Sequence, residues 1–190
     1  MEPRNNPTDR PKKPLDAAKL DELALAYVAR FATSKGKLAR YLSRKLSESK
    51  WIDAQNSEEV IAAIIEKMEK RKYLDDQQYA QMKSGAMMRR GLGLGRVKAQ
   101  LRFDGVSDDD REKATEHSRQ EAVLAALRFA QRKRLGPFAA EKLADRAALE
   151  KKIAAFLRAG HPMRLAREIL SMEPMDAPDL MDIADHMESF

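Results

Sequence analysis

The sequence predicts an all-α protein, and three observations carry that expectation. Apolar residues recur at three- and four-residue spacing along most of the chain, the mark of one-sided helices. No stretch alternates apolar with polar residues and β-branched residues are sparse, so no strand is expected. Charged residues make up 35% of the 190 residues, above the usual quarter or so, which suits long exposed helix faces better than a sheet. A chain of this size can bury roughly 70% of its unfolded surface and needs no covalent staple.

Residues 1–14, MEPRNNPTDRPKKP, hold four prolines and no large apolar residue after Met1, and read as a disordered arm. The first helix runs from about Leu15 to Phe31, with Leu20, Leu23, Ala24, Tyr27, Val28 and Phe31 on one stripe. Ser34 caps a second helix carrying Leu38, Leu42 and Leu46, and Trp51 and Ile52 close it. Asn56, with Glu59 three residues on, opens a third helix through Ile61, Ile64, Ile65 and Met68.

The stretch from Tyr73 to Phe103 reads as helix, glycine turn, helix. Asp75 and Asp76 stand as a cap after Tyr73 and Leu74, and Tyr79, Met82 and Ala86 form the stripe. Gly91, Gly93 and Gly95 break the helix, which resumes through Val97 and Leu101. Ser107 caps a short, polar sixth helix with Asp108, Asp109 and Asp110 in its first turn, where negative charge is favoured. The seventh carries Val123, Leu124, Leu127 and Ala130 and stops at Gly136-Pro137. The eighth carries Leu149, Ile153, Phe156 and Leu157, and Pro162 begins a ninth with Leu165, Ile169 and Leu170. Behind Pro178, Leu180, Ile183, Ala184 and Met187 form a last stripe opposite an acidic face; this helix either docks on the body or folds on a partner.

A step of 55 residues carries Leu42, Leu46 and Trp51 onto Val97, Leu101 and Val106. It also carries Leu101 onto Phe156, Gly105 onto Gly160 and Ser107 onto Pro162. Three units of three helices follow, at 15–74, 75–118 and 119–171, with an acidic tail at 172–190.

The chemistry of the chain is narrow. There is no cysteine, which removes disulfides, thiolate metal sites and thiol catalysis. No apolar run approaches the ~20 residues of a membrane span, and the N-terminus has no apolar signal core, so the protein is read as cytoplasmic. His117, His161 and His186 lack partners at metal-ligand spacing. The Gly91-x-Gly93-x-Gly95 run has neither dinucleotide nor P-loop spacing and reads as a flexible turn whose N–H groups could meet a phosphate. Tyr73, Tyr79, Trp51 and Phe31 read as packing residues, and aromatics at 6% leave little for base stacking. No enzyme and no cofactor are indicated.

What remains is charge. The net charge is +6, but residues 173–190 contribute −6, which leaves +12 on the rest. From Lys83 to Phe103 the chain holds Lys83, Arg89, Arg90, Arg96, Lys98 and Arg102 and no acidic residue; Arg128, Arg132, Lys133 and Arg134 form a second cluster. Such a set suits a polyanion.

In this order and spacing, the residues resemble the RecX family of bacterial recombination regulators over roughly 20–171. The resemblance rests on Tyr73-Leu74-Asp75-Asp76, on Arg90-Gly91-x-Gly93-x-Gly95-Arg96-Val97-x-x-x-Leu101, and on Ser34 through Leu46. Arg132 to Pro137 and the turn from Phe156 to Gly160 add to it. It implies an elongated, curved array of three three-helix units. It also implies binding along the RecA–DNA filament with suppression of ATPase, strand exchange and coprotease activity. Tyr73 to Asp76 would then fix a unit junction, and the basic residues would face filament or DNA. RecA and its DNA filament are the implied partners, with weak direct DNA binding, no membrane and a monomeric chain. Lys50-Trp51 and the polar sixth helix depart from the family pattern, and the acidic tail lies outside it. On the residues alone two other readings stay open: a helical repeat binding bare DNA or RNA, and a scaffold docked through the Leu180/Ile183/Met187 helix.

Overall fold

The computed structural model describes residues 12–116, 121–141, 145–176 and 178–188, and they form an all-α protein. His117 and residues 1–11 of the expected arm lie outside the described residues. The chain divides into two compact units, Met1–Asp76 and Gln77–Phe190.

The first unit holds α1 (Ala17–Arg30), α2 (Lys35–Ser47) and α3 (Ser57–Lys70). Three local caps start them: Asp16 accepts from Lys19 N–H, Ser34 from Lys37 N–H and Asn56 from Glu58 N–H. The helices bury Leu20, Ala24, Leu38, Leu42, Val60, Ile61, Ile64 and Met68 in one core, joined by Leu15 and Leu74. Each large side chain sealed there contributes roughly 1.5–3 kcal/mol.

Leu15 explains two departures from expectation. Its buried side chain pins the backbone before α1, so Pro14–Leu15 (β1) pairs in parallel with Lys50–Trp51 (β2). This short bridge corrects the expectation of no strand, and it orders the last residues of the arm: Lys50 N–H donates to Lys13 O (2.9 Å) and Lys12 Nζ to Ser47 O (2.8 Å). Two expected packing residues are corrected as well. Phe31 and Tyr73 are 56% and 52% exposed, because each follows the end of its helix and no longer obeys the helical period.

The second unit holds α4 (Asp76–Arg89, beginning one residue before the boundary), α5 (Leu94–Phe103) and α6 (Asp108–Glu116). It continues with α7 (Ala122–Lys133), a 3₁₀ turn at Gly136–Phe138, α8 (Arg146–Arg158), α9 (Met163–Ser171) and α10 (Leu180–Glu188). One cluster gathers Tyr79, Met88, Val97, Leu101 and Val106. Another gathers Leu127, Phe129, Ile153, Phe156, Ile169 and Leu170. Helix α7 feeds both, through Ala125 to the first and its later residues to the second, which joins them in one body. The tail helix α10 docks: Ile183 and Ala184 are buried in the second cluster.

The 55-residue step survives in the backbone. Val106 N–H donates to Leu101 O (3.1 Å) and His161 N–H to Phe156 O (3.0 Å), with Gly105 and Gly160 left-handed before them. These close α5 and α8 with the same C-terminal turn. At the equivalent point of the first unit Lys50 lies in β2 instead.

Candidate polyanion-binding surface

The basic residues of the second unit are arranged around the α4–α5 turn. Arg89 ends α4, Arg90 lies in the turn, and Arg96, Lys98 and Arg102 project from α5, all exposed. They are held outward by the fully buried Val97 and Leu101 on the opposite side of α5. Lys83 is half-buried within α4.

The turn itself is clamped. Gly91 is left-handed (φ 74°) and closes α4 through its N–H to Met88 O (2.8 Å). Gly93 N–H donates to Ala159 O (2.8 Å) and Gly95 N–H to Gly160 O (3.0 Å), tying the turn to the α8–α9 junction. A Cβ at Gly93 would fall inside the van der Waals envelope of Gly160 O and C and 2.6 Å from His161 N. The expectation of a flexible turn with N–H groups for a phosphate is therefore corrected. The three N–H groups are spent inside the protein, and the glycines serve close backbone approach.

His161 completes the clamp, and sequence reasoning gave it no role. It is 3% exposed, its Nε2 lies 3.2 Å from Gly91 O, and its ring packs on Phe129 and Phe156 with centroids 5.6 and 5.7 Å away. A carbonyl only accepts, so Nε2 carries the proton. Burial pushes the imidazole pKa below its ordinary value; the bond to Gly91 opposes this, and the nearby Arg132 charge adds to it. The signal was present in the repeat, since the 55-residue step places His161 on the buried Val106 slot.

Arg128, the first residue of the second cluster, is brought beside the turn. A Cβ at Gly91 would lie 2.8 Å from Phe129 N and 3.2 Å from Arg128 C, so the residue after Arg90 touches the α7 backbone at Arg128. Arg132, Lys133 and Arg134 are exposed at the end of α7, with Arg134 left-handed (φ 52°). Arg128 is half-buried, and its Nη1 has no hydrogen-bond partner among the described residues.

Among the described residues, none of these ten cations is held in an ion pair, whereas Arg111 is paired with Asp108 and Lys113 with Asp109 (2.6 Å) nearby. Lys98 and Arg102 line a shallow cleft with Asp108, Arg111 and Glu112, so their field is partly offset. The field around Arg89, Arg90 and Arg96 has no acidic neighbour in sequence from Lys83 to Phe103.

The Tyr73–Asp76 segment belongs to the first unit. Leu74 is buried, Asp75 is exposed before α4, and Asp76 Oδ1 accepts from Lys35 N–H (2.8 Å) at the start of α2. Asp76 thus serves a helix 41 residues earlier as well as opening its own. No helix is long and apolar enough to cross a membrane among the described residues.

No family model matches the chain. The regulatory protein RecX of Myxococcus xanthus (strain DK1622) is 29% identical over 170 residues, covering 87% of this chain and 90% of that protein. A crystal structure of regulatory protein RecX aligns with TM-score 0.60 at 19% identity, over 80% of this chain and 70% of the other. The crystal structure of RecX from Lactobacillus salivarius aligns with TM-score 0.58 at 20% identity, over 80% and 93%. At these identities the structural likeness bears on the fold.

Proposed function

We propose that the chain, similar in sequence to a RecX regulatory protein, is a member of the RecX family and regulates RecA, mainly as an inhibitor, by binding the RecA–DNA filament. Binding suppresses ATPase, strand exchange and coprotease activity in recombination and the SOS response, and the chain performs no catalysis of its own. It acts in the cytoplasm as a monomer.

One observation carries this reading: ten cations without ion-pair partners among the described residues, eight of them exposed, lie along the helices joined at a clamped turn and along α7, with Arg89, Arg90 and Arg96 flanking the turn itself. Strong single-sign fields on a rigid support attract polyanions and lose little entropy when they bind. The cations of 75–118 and 119–171 contact successive stretches of the filament, on DNA phosphates or acidic protein surface. A protein bridging neighbouring protomers opposes the rearrangements that accompany ATP turnover.

The test is the RecA ATPase rate on single-stranded DNA, titrated with this protein at fixed salt, beside a titration of bare DNA. ATPase falls at protein levels that leave bare DNA unsaturated, and the double variant Arg90→Gln/Arg96→Gln inhibits more weakly with unchanged helicity. Inhibition that tracks the coating of bare DNA supports a general nucleic-acid-binding protein instead; no inhibition of the cognate RecA removes the proposal.

A further inference from the structure

The first unit carries an aromatic ladder that the regulatory reading leaves unused. Tyr27 of α1 and Tyr41 of α2 stack with ring centroids 4.3 Å apart and planes 20° apart. Phe31, one helical turn beyond Tyr27, lies 5.2 Å from it at 49°. On α2 the Arg44 guanidinium and the Lys45 ammonium sit 5.6 and 5.9 Å from the centre of the Tyr41 ring. Their spacing from Tyr41, three and four residues, places all three on one helix face.

Core packing accounts for two of the rings but not the third. Tyr27 and Tyr41 are half-buried against the first core, whereas Phe31 is 56% exposed and is not part of that core. The surroundings are strongly basic. Residues 30–47 contain Arg30, Lys35, Lys37, Arg40, Arg44 and Lys45 and no acidic residue. Glu48 reaches back to Arg44 (3.0 Å) and Lys45 (2.9 Å), and Glu69 to Lys35 (2.9 Å). Exposed pairs of this kind are worth little and exchange readily for a phosphate.

An exposed ring at one end, cations at the other and basic side chains alongside form the chemistry that holds an unpaired strand. Bases stack on aromatic faces and phosphates meet the charges. Duplex bases already stack on one another, so a free strand is the better match. We propose that the α1–α2 face is a binding site for single-stranded nucleic acid, in which a base stacks on Phe31 and the adjoining phosphates meet Arg30, Arg40 and Arg44. The proposal is built on first-unit residues alone and does not depend on the regulatory reading.

The test uses the full chain without RecA. Binding of a fluorescein-labelled oligothymidylate is compared with that of an abasic-spacer strand of equal length, for wild type and for Phe31→Leu, Phe31→Tyr and Arg44→Gln. Truncating a stacked ring weakens binding by roughly five- to a hundredfold per base. Phe31→Leu therefore weakens oligothymidylate binding by that order and leaves the abasic strand unchanged, while Phe31→Tyr keeps wild-type affinity. Arg44→Gln weakens both strands and lowers the slope of log K against log salt by about 0.7, the value for one phosphate on a single strand. Phe31→Leu binding both strands as wild type overturns the proposal, and so does an equal loss on both. Unchanged oligothymidylate binding with weakened action on RecA ATPase assigns the face to a protein partner and overturns it too.

Discussion

Replacing Gly93 by alanine perturbs the α4–α5 turn at its tightest point. The new Cβ meets backbone only, Gly160 O and C and His161 N, so no side chain can rotate away. Relief requires the two turns to separate by on the order of 1 Å. That distance breaks the bonds from Gly93 N–H to Ala159 O and from Gly95 N–H to Gly160 O, and pulls Gly91 O from His161. Each lost bond costs roughly 0.5–1.5 kcal/mol, and forcing a methyl into filled space costs roughly 1–3 kcal/mol. Alanine stiffens the unfolded chain and returns about 0.4–1 kcal/mol. The net is a destabilisation of about 2–7 kcal/mol, set by these opposing contributions.

Urea unfolding followed by far-ultraviolet circular dichroism reads it, since the single tryptophan, Trp51, lies in the first unit and reports there. With a urea slope of roughly 1–3 kcal/mol/M the midpoint falls by on the order of 1 M. Gly95→Ala is the control. Its Cβ comes no nearer than 3.1 Å to Gly160 O on an exposed residue of α5, so its change stays within about 1 kcal/mol. A Gly93→Ala variant within about 0.5 kcal/mol of wild type refutes the clamp. Equal effects of the two alanines refute it as well.

Three further outcomes are expected. Gly85→Ala stabilises the second unit by about 0.5–1 kcal/mol, because Gly85 lies inside α4 and its Cβ meets only the Arg89 side chain; a loss in melting temperature contradicts this. Asp76→Ala removes the acceptor for Lys35 N–H and destabilises the first unit by roughly 0.5–2 kcal/mol, read by Trp51 fluorescence in urea. His161 has a lowered pKa when folded, so the unfolded chain binds the proton more readily. The stability contributed by the neutral ring is full above pH 6.5, the unfolded value, and is lost as pH falls through the folded one. Wild type therefore loses more urea resistance than His161→Phe on going from neutral pH to below pH 6, and parallel losses exclude this origin.

Features encoded by local spacing were legible in the sequence. The buried positions of α1, α2 and α3 follow a single helical period, and Ser34, Asn56 and Ser107 sit where side-chain oxygens reach an N–H two or three residues on. What escaped depends on partners far along the chain. Gly91, Gly93 and Gly95 announce a turn, but nothing near them announces Gly160, 65 residues after Gly95, and so flexibility was expected where a clamp exists. The β1–β2 bridge is two residues long, too short for any period, and joins Pro14 to Lys50. Phe31 extends the α1 stripe arithmetically, yet α1 ends at Arg30 and the backbone at Phe31 is extended (φ −132°), which turns the ring out of the core.

The same distinction bears on how the cations act. Basic residues on a flexible glycine loop would give up conformational freedom on meeting a polyanion, and that loss would offset part of each charge contact. Arg90 and Arg96 instead flank a turn whose backbone is bonded at Gly91, Gly93 and Gly95, with Gly91 also against α7 and His161 behind it. Their backbone positions are fixed before any ligand arrives, and the α7 cations are fixed relative to them through Gly91. Clamp and charge are thus one device in the proposed function: loosening the glycines is expected to weaken anion binding without removing a single cation.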